Sequence, residues 1–78
     1  MRVRVEFTVE PFVAGAPGPH VLAAVHAAEA RGLTVEFGPF GSSGEGDREV
    51  VVAAVDDALR AALDAGATRV SIQVSTID

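Results

Sequence analysis

The chain has 78 residues, a formal net charge of −5 and no cysteine. The missing thiols exclude a disulfide scaffold, a thiolate metal site and a cysteine nucleophile. With only six basic residues, scattered along the sequence, the chain also lacks the clustered cations that nucleic-acid backbones require.

From the N-terminus, Arg2 to Glu10 alternates strictly, Val3, Val5, Phe7 and Val9 against Arg2, Arg4, Glu6, Thr8 and Glu10. That period of two predicts a half-buried strand. The opening "MRVRVEF" is not a charged cap followed by an apolar block, so it predicts no secretion signal. No apolar run approaches the roughly 18 residues of a membrane span. One soluble, cytoplasmic domain is therefore expected, spanning residues 1–78.

Pro11 ends the strand, and "FVAGAPGP" reads as a Gly and Pro loop. A helix follows over His20–Arg31, entered by Pro19, with Val21, Leu22, Val25 and Ala28 as its apolar stripe and Gly32 as its stop. "LTVEF" alternates again, which predicts a strand over Leu33–Phe37 with Leu33, Val35 and Phe37 inward. Arg48 to Ala65 reads as a second helix, with Asp47 as its N-cap, Glu49 in its first turn, and Val51, Val55, Ala58, Leu59 and Ala62 facing the core. "TRVSIQVST" closes the chain as a strand with Val70, Ile72 and Val74 inward.

Between the second strand and the second helix lies "FGPFGSSGEGD", Phe37 to Asp47, with its glycines and serines. As a linker it would leave a sheet too narrow to cover two helices. As a short strand over Gly41–Gly46, hairpinned through "GPFG", it completes an α+β, ferredoxin-like βαββαβ unit. The expected sheet is four-stranded and antiparallel, in order 4-1-3-2, with two helices on one face. Glycine in a strand marks the close approach of a ligand or another backbone. In this topology the end of the first strand, the hairpin and the start of the first helix meet at one sheet edge. Thr8, Glu10, His20, Phe37, Phe40, Ser42 and Ser43 become expected neighbours there.

Two blocks, "EFTVEP" (Glu6 to Pro11) and "PFGSSGEGD" (Pro39 to Asp47), resemble the thiamine-binding YkoF-like family of small βαββαβ proteins. That family's pattern is roughly E-F-T-(V/I)-x-P, then P-M-G-T-x-x-E-G-(D/E). "AGATRV" at Ala65 to Val70 also looks like the family's entry into its last strand. This chain departs in having Phe40 for Met, Ser42 for Thr, small residues at Ser43 and Gly44, and "GPHV" at the first helix entry. The resemblance implies a small-molecule binding protein, not an enzyme, for thiamine or its hydroxymethylpyrimidine half. It also implies assembly into a homodimer or homotetramer.

Such a ligand joins a cationic thiazolium to a flat aminopyrimidine, so it asks for aromatic faces, a carboxylate and small hydroxyls. Thr8, Glu10, His20, Phe37, Phe40, Gly41, Ser42, Ser43 and Glu45 are the candidate binding residues. Against this, Phe37 has the phase of a core residue, and Glu6, Glu36 and Glu45 have cross-sheet partners to hand in Arg2, Arg4 and Arg69. Asp56 and Asp57 read as solvated helix-surface carboxylates.

No metal or cofactor is expected, because His20 and His26 lack i,i+4 spacing. The glycine stretch has no P-loop lysine. The outer sheet face carries no aromatic on which RNA bases would stack. A regulatory oligomer without ligand is the alternative, and a cofactor-free enzyme with His20 as base a more distant one. A core of Ala and Val in so short a chain contributes little stability, roughly 3 to 5 kcal/mol at most, and self-association is the natural remedy.

Overall fold

A computed structural model describes residues 1–11, 17–38 and 41–78. The elements run β1 (Arg2–Glu10), α1 (Pro19–Ala30), β2 (Val35–Gly38), β3 (Gly41–Asp47), α2 (Arg48–Asp64) and β4 (Arg69–Thr76). Gly41–Asp47 of the glycine-rich stretch forms β3; Pro39 and Phe40 of the expected "GPFG" turn lie outside the described residues. Strand β3 pairs antiparallel with β1 on one side and β2 on the other, while β1 pairs antiparallel with β4. The sheet order β2-β3-β1-β4 is the expected 4-1-3-2 order read from the opposite edge, and the fold is the ferredoxin-like one.

The alternation in β1 sends Val3, Val5, Phe7 and Val9 into one core with Val21, Ala24, Val25 and Ala28 of α1 and Val51, Ala54, Ala58 and Ala62 of α2. Both helices therefore cover the same sheet face, and the other face is open. No helix among the described residues is long and apolar enough to cross a membrane. The helices meet through small side chains: Ala24, Ala28, Ala54 and Ala58, with β1 and Leu33 among others, enclose a space of about 10 Å³. That space is no larger than a single water, so the interior has no room for an organic ligand. Ala54 is fully buried. Ala54→Leu is therefore expected to wedge the layers apart and cost about 1–3 kcal/mol, read as a lowered midpoint in urea.

Pro19 opens α1 and Gly18 caps it by its backbone alone, its carbonyl accepting from the N–H groups of Val21 and Leu22. Both helices end the same way. Leu33 N–H donates to the Ala28 carbonyl and Gly32 N–H to Glu29, with Gly32 at φ 93°. Ala67 and Gly66 repeat the pattern on Ala62 and Leu63, with Gly66 at φ 100°. These paired bonds need a left-handed residue, which is why glycine stops each helix.

Three local expectations are corrected. Leu33 is buried but precedes β2, which begins at Val35. Gly44 of β3 explains this: a Cβ there would stand 2.9 Å from the Thr34 carbonyl oxygen and 3.0 Å from Leu33 Cδ1. The missing side chain leaves the room that Leu33 fills. Asp47 is the N-cap of α2 by backbone position but makes no side-chain cap hydrogen bond. It is the last residue of β3, held opposite Arg2 in the ladder, and Arg48 N–H donates to the Met1 carbonyl. Asp56 and Asp57 are engaged as well as solvated: Asp57 takes Arg31 at 2.6 Å and Asp56 takes Arg60 at 3.2 Å.

Candidate functional site on the open sheet face

On the open face the strand registers set side chains in rows across the sheet. Glu45 lies opposite Arg4, and Arg4 opposite Ser75. In the next row Glu36, Ser43, Glu6 and Gln73 stand side by side. In the third, Gly38 faces Gly41, and Thr8 faces Ser71. Beyond it Glu10 faces Arg69.

Bulk falls away along this series. The charged row stands up, the second row shortens at Ser43, and the third has two glycines. Those missing side chains leave a hollow of about 380 Å³ bounded by Arg4, Glu6, Thr8, Gly38, Gly41, Ser43, Ser71 and Gln73. Phe7 and Ser42 also border it. Their side chains belong to the helix-side register, so they contribute backbone. Gly41 is needed for the floor: a Cβ would lie 2.9 Å from both the Phe7 carbonyl oxygen and Thr8 Oγ1. A second hollow of about 250 Å³, bounded by Arg4, Thr34, Glu36, Ser43, Gly44 and Glu45, adjoins the first across Arg4 and Ser43.

The polar groups of these hollows are the Ser43 and Ser71 hydroxyls, Thr8 and Thr34, the Gln73 amide, the Arg4 guanidinium and the carboxylates of Glu6, Glu36 and Glu45. Arg4 Nε donates to Glu6 Oε1 and Nη1 to Glu45 Oε2, each at 3.1 Å. The bond to Glu6, followed by that to Glu45, raises the Arg4 pKa above its ordinary value, so Arg4 is a permanent cation. Among the described residues no group of histidine and carboxylate side chains converges as metal ligands do.

Of the sequence-derived candidates, Thr8, Gly41, Ser42 and Ser43 border the larger hollow, and Glu45 the smaller. Glu10 stands beyond the rim, 3.5 Å from Arg69. His20 is apart from both hollows. Its Nε2 meets the Pro11 carbonyl, and its ring lies so close to Gly18 that a Cβ there would be 2.7 Å from Cε1. It ties together the two ends of the segment between β1 and α1.

Phe37 keeps the helix-side register opposite Ser42, yet it is 53% exposed rather than buried. Phe40 lies outside the described residues. Arg4, Glu6, Ser71 and Gln73 also line the larger hollow, although they are not among the binding residues expected from the sequence. Alternation puts them on the outer face, but only the register of β4 against β1 brings Ser71 and Gln73 beside Thr8 and Glu6.

Comparison with known proteins gives three kinds of result. The family model described as thiamine-binding protein matches residues 5–78. No curated protein matches the chain. Among solved structures, a domain of unknown function from Bacillus cereus superposes with a TM-score of 0.71 at 29% identity, covering 97% of this chain and 76% of that one. A protein from Methanocaldococcus jannascii gives 0.70 at 24% identity over 99% and 79% of the two chains. A Thermotoga maritima protein assigned provisionally to thiamine biosynthesis or salvage gives 0.54 at 22% identity over 96% and 81%. The last two likenesses speak for the fold alone.

Proposed function

We propose that this chain, which belongs to the thiamine-binding protein family, is a cytoplasmic, non-catalytic binding protein for thiamine or its hydroxymethylpyrimidine half. The hollow over Gly38 and Gly41 is the assigned seat of the pyrimidine. The observation that carries this reading is chemical: in one concavity of about 380 Å³ the Thr8, Ser43 and Ser71 hydroxyls and the Gln73 amide stand around a glycine floor. Hydroxyl and amide groups can match the mixed donors and acceptors of an aminopyrimidine edge. The glycine floor lets a flat ring lie against backbone. Thr8, Gly41, Ser42, Ser43 and Glu45 are the binding residues of this reading. Glu10, His20 and Phe37 act only if ligand extends past the hollow's rim, and Phe40 is kept in the reading on the sequence motif alone.

Calorimetric titration with thiamine and with hydroxymethylpyrimidine tests it. Saturable heat for both is expected. A folded protein silent to both at millimolar ligand leaves a regulatory oligomer as the better reading.

The protein acts as an oligomer in this reading. An open sheet covers a ligand on one side only, whereas well-held ligands lose most of their surface to protein; a second subunit supplies the other wall. A separate apolar surface lies on the helix side: Val52 and Leu63 of α2 are more than half exposed, and Val74 of β4, opposite Val5 and expected inward, is 50% exposed; it is suited to a second contact between subunits. Sedimentation at micromolar concentration is expected to give a species at least twice the 8.0 kDa chain mass. A single monomeric boundary would remove this part of the proposal.

A further inference from the structure

We propose that Arg4 is a displaceable stand-in for the ligand's positive charge: an organic cation bound in the hollow takes the place of the Arg4 guanidinium between Glu6 and Glu45. The inference rests on the preceding reading of the hollow as the ligand seat and goes beyond it by assigning the atoms that receive the cation.

Three observations meet at Arg4. It borders both hollows, so its guanidinium stands where the two join. It is shared, Nε to Glu6 and Nη1 to Glu45, each at 3.1 Å. Glu36 borders the smaller hollow as a third carboxylate and makes no ion pair among the described residues. One cation among three carboxylates leaves a negative surplus, which draws a positive ligand and would repel an anionic one.

Exposure decides whether the guanidinium can leave. The side chains of Arg4, Glu6 and Glu45 are 41%, 57% and 45% exposed. Ion pairs this wet hold weakly, because water and salt compete for both partners. The guanidinium can therefore swing into solvent at little cost. A ring-borne cation anchored by its neutral half in the larger hollow would meet the same two carboxylates with its position already fixed, whereas the guanidinium must give up side-chain freedom to hold them.

The test compares thiamine with neutral hydroxymethylpyrimidine by calorimetry, in the wild type and in Arg4→Met, Glu45→Gln and Glu6→Gln. In R4M the two carboxylates lose their internal partner. The ratio of thiamine to pyrimidine affinity is expected to rise roughly threefold to fivefold, the scale of an exposed charge pair. In E45Q and E6Q it is expected to fall by a similar factor. Raising salt should lower the ratio in the wild type, more steeply in R4M.

A ratio unchanged in all three variants, with both probes still bound, overturns the displacement and leaves the hollow reading intact. A ratio that falls in R4M assigns Arg4 to direct ligand contact and also overturns it. Failure of thiamine and pyrimidine alike to bind the wild type overturns both proposals together. R4M and the glutamine variants change exposed side chains, so an unfolded R4M still leaves E45Q and E6Q to decide.

Discussion

Gly44→Val is expected to be the most damaging single exchange on the sheet, costing about 2–3 kcal/mol and lowering the melting temperature by roughly 10 °C or more. The new Cβ would sit 2.9 Å from the Thr34 carbonyl oxygen and 3.0 Å from two Leu33 carbons. One obstacle is backbone and the other is a side chain only 2% exposed, so neither yields cheaply. Against a core worth roughly 3 to 5 kcal/mol in a domain of this size, the loss is a large fraction of the whole. Gly46→Ala is the internal control. Its Cβ would meet Val51 Cγ2 at an ordinary 3.5 Å, and removing strand glycine entropy is expected to leave stability equal or up to about 1 kcal/mol higher. Thermal melts of the two variants side by side separate close packing from a general intolerance of bulk in β3.

The second large effect concerns binding. Ser43 borders both hollows and points away from the core, opposite Glu6 and Glu36. Ser43→Leu would fill the junction of the two concavities and remove one hydroxyl. It is expected to weaken hydroxymethylpyrimidine and thiamine at least tenfold, about 1.4 kcal/mol, while the melting temperature stays within a few degrees. Wild-type affinity in S43L would mean that the ligand does not occupy this concavity.

Much of the architecture is legible in the order of residues because its causes are local. The period-two alternation of β1 reports a sheet with one wet face, and Gly32 and Gly66 report left-handed helix stops. The lack of bulk in Gly41 to Gly46 reports a strand that something else must approach. What approaches Gly44 was not legible. Leu33 carries the phase of a strand residue, and only the packed structure shows it lying over Gly44 from the turn before β2.

The site divides the same way. Thr8, Gly41 and Ser43 belong to contiguous motifs and are legible there. Ser71 and Gln73 enter through the pairing of β4 with β1, a contact more than sixty residues distant in the chain, which no short motif encodes. Phe37 shows the limit of phase alone. Its direction follows from alternation, but its burial depends on what packs over an edge strand, and Phe37 is left 53% exposed.

The central claim is that the pyrimidine lies on the open sheet face over Gly38 and Gly41. The most direct measurement is a titration of isotopically labelled protein with hydroxymethylpyrimidine, following backbone amide resonances. The account predicts saturable shifts concentrated at Thr8, Gly38, Gly41, Ser43, Ser71 and Gln73, with the α1 and α2 amides nearly still. Shifts centred on the helices, or none at saturating ligand, would contradict it.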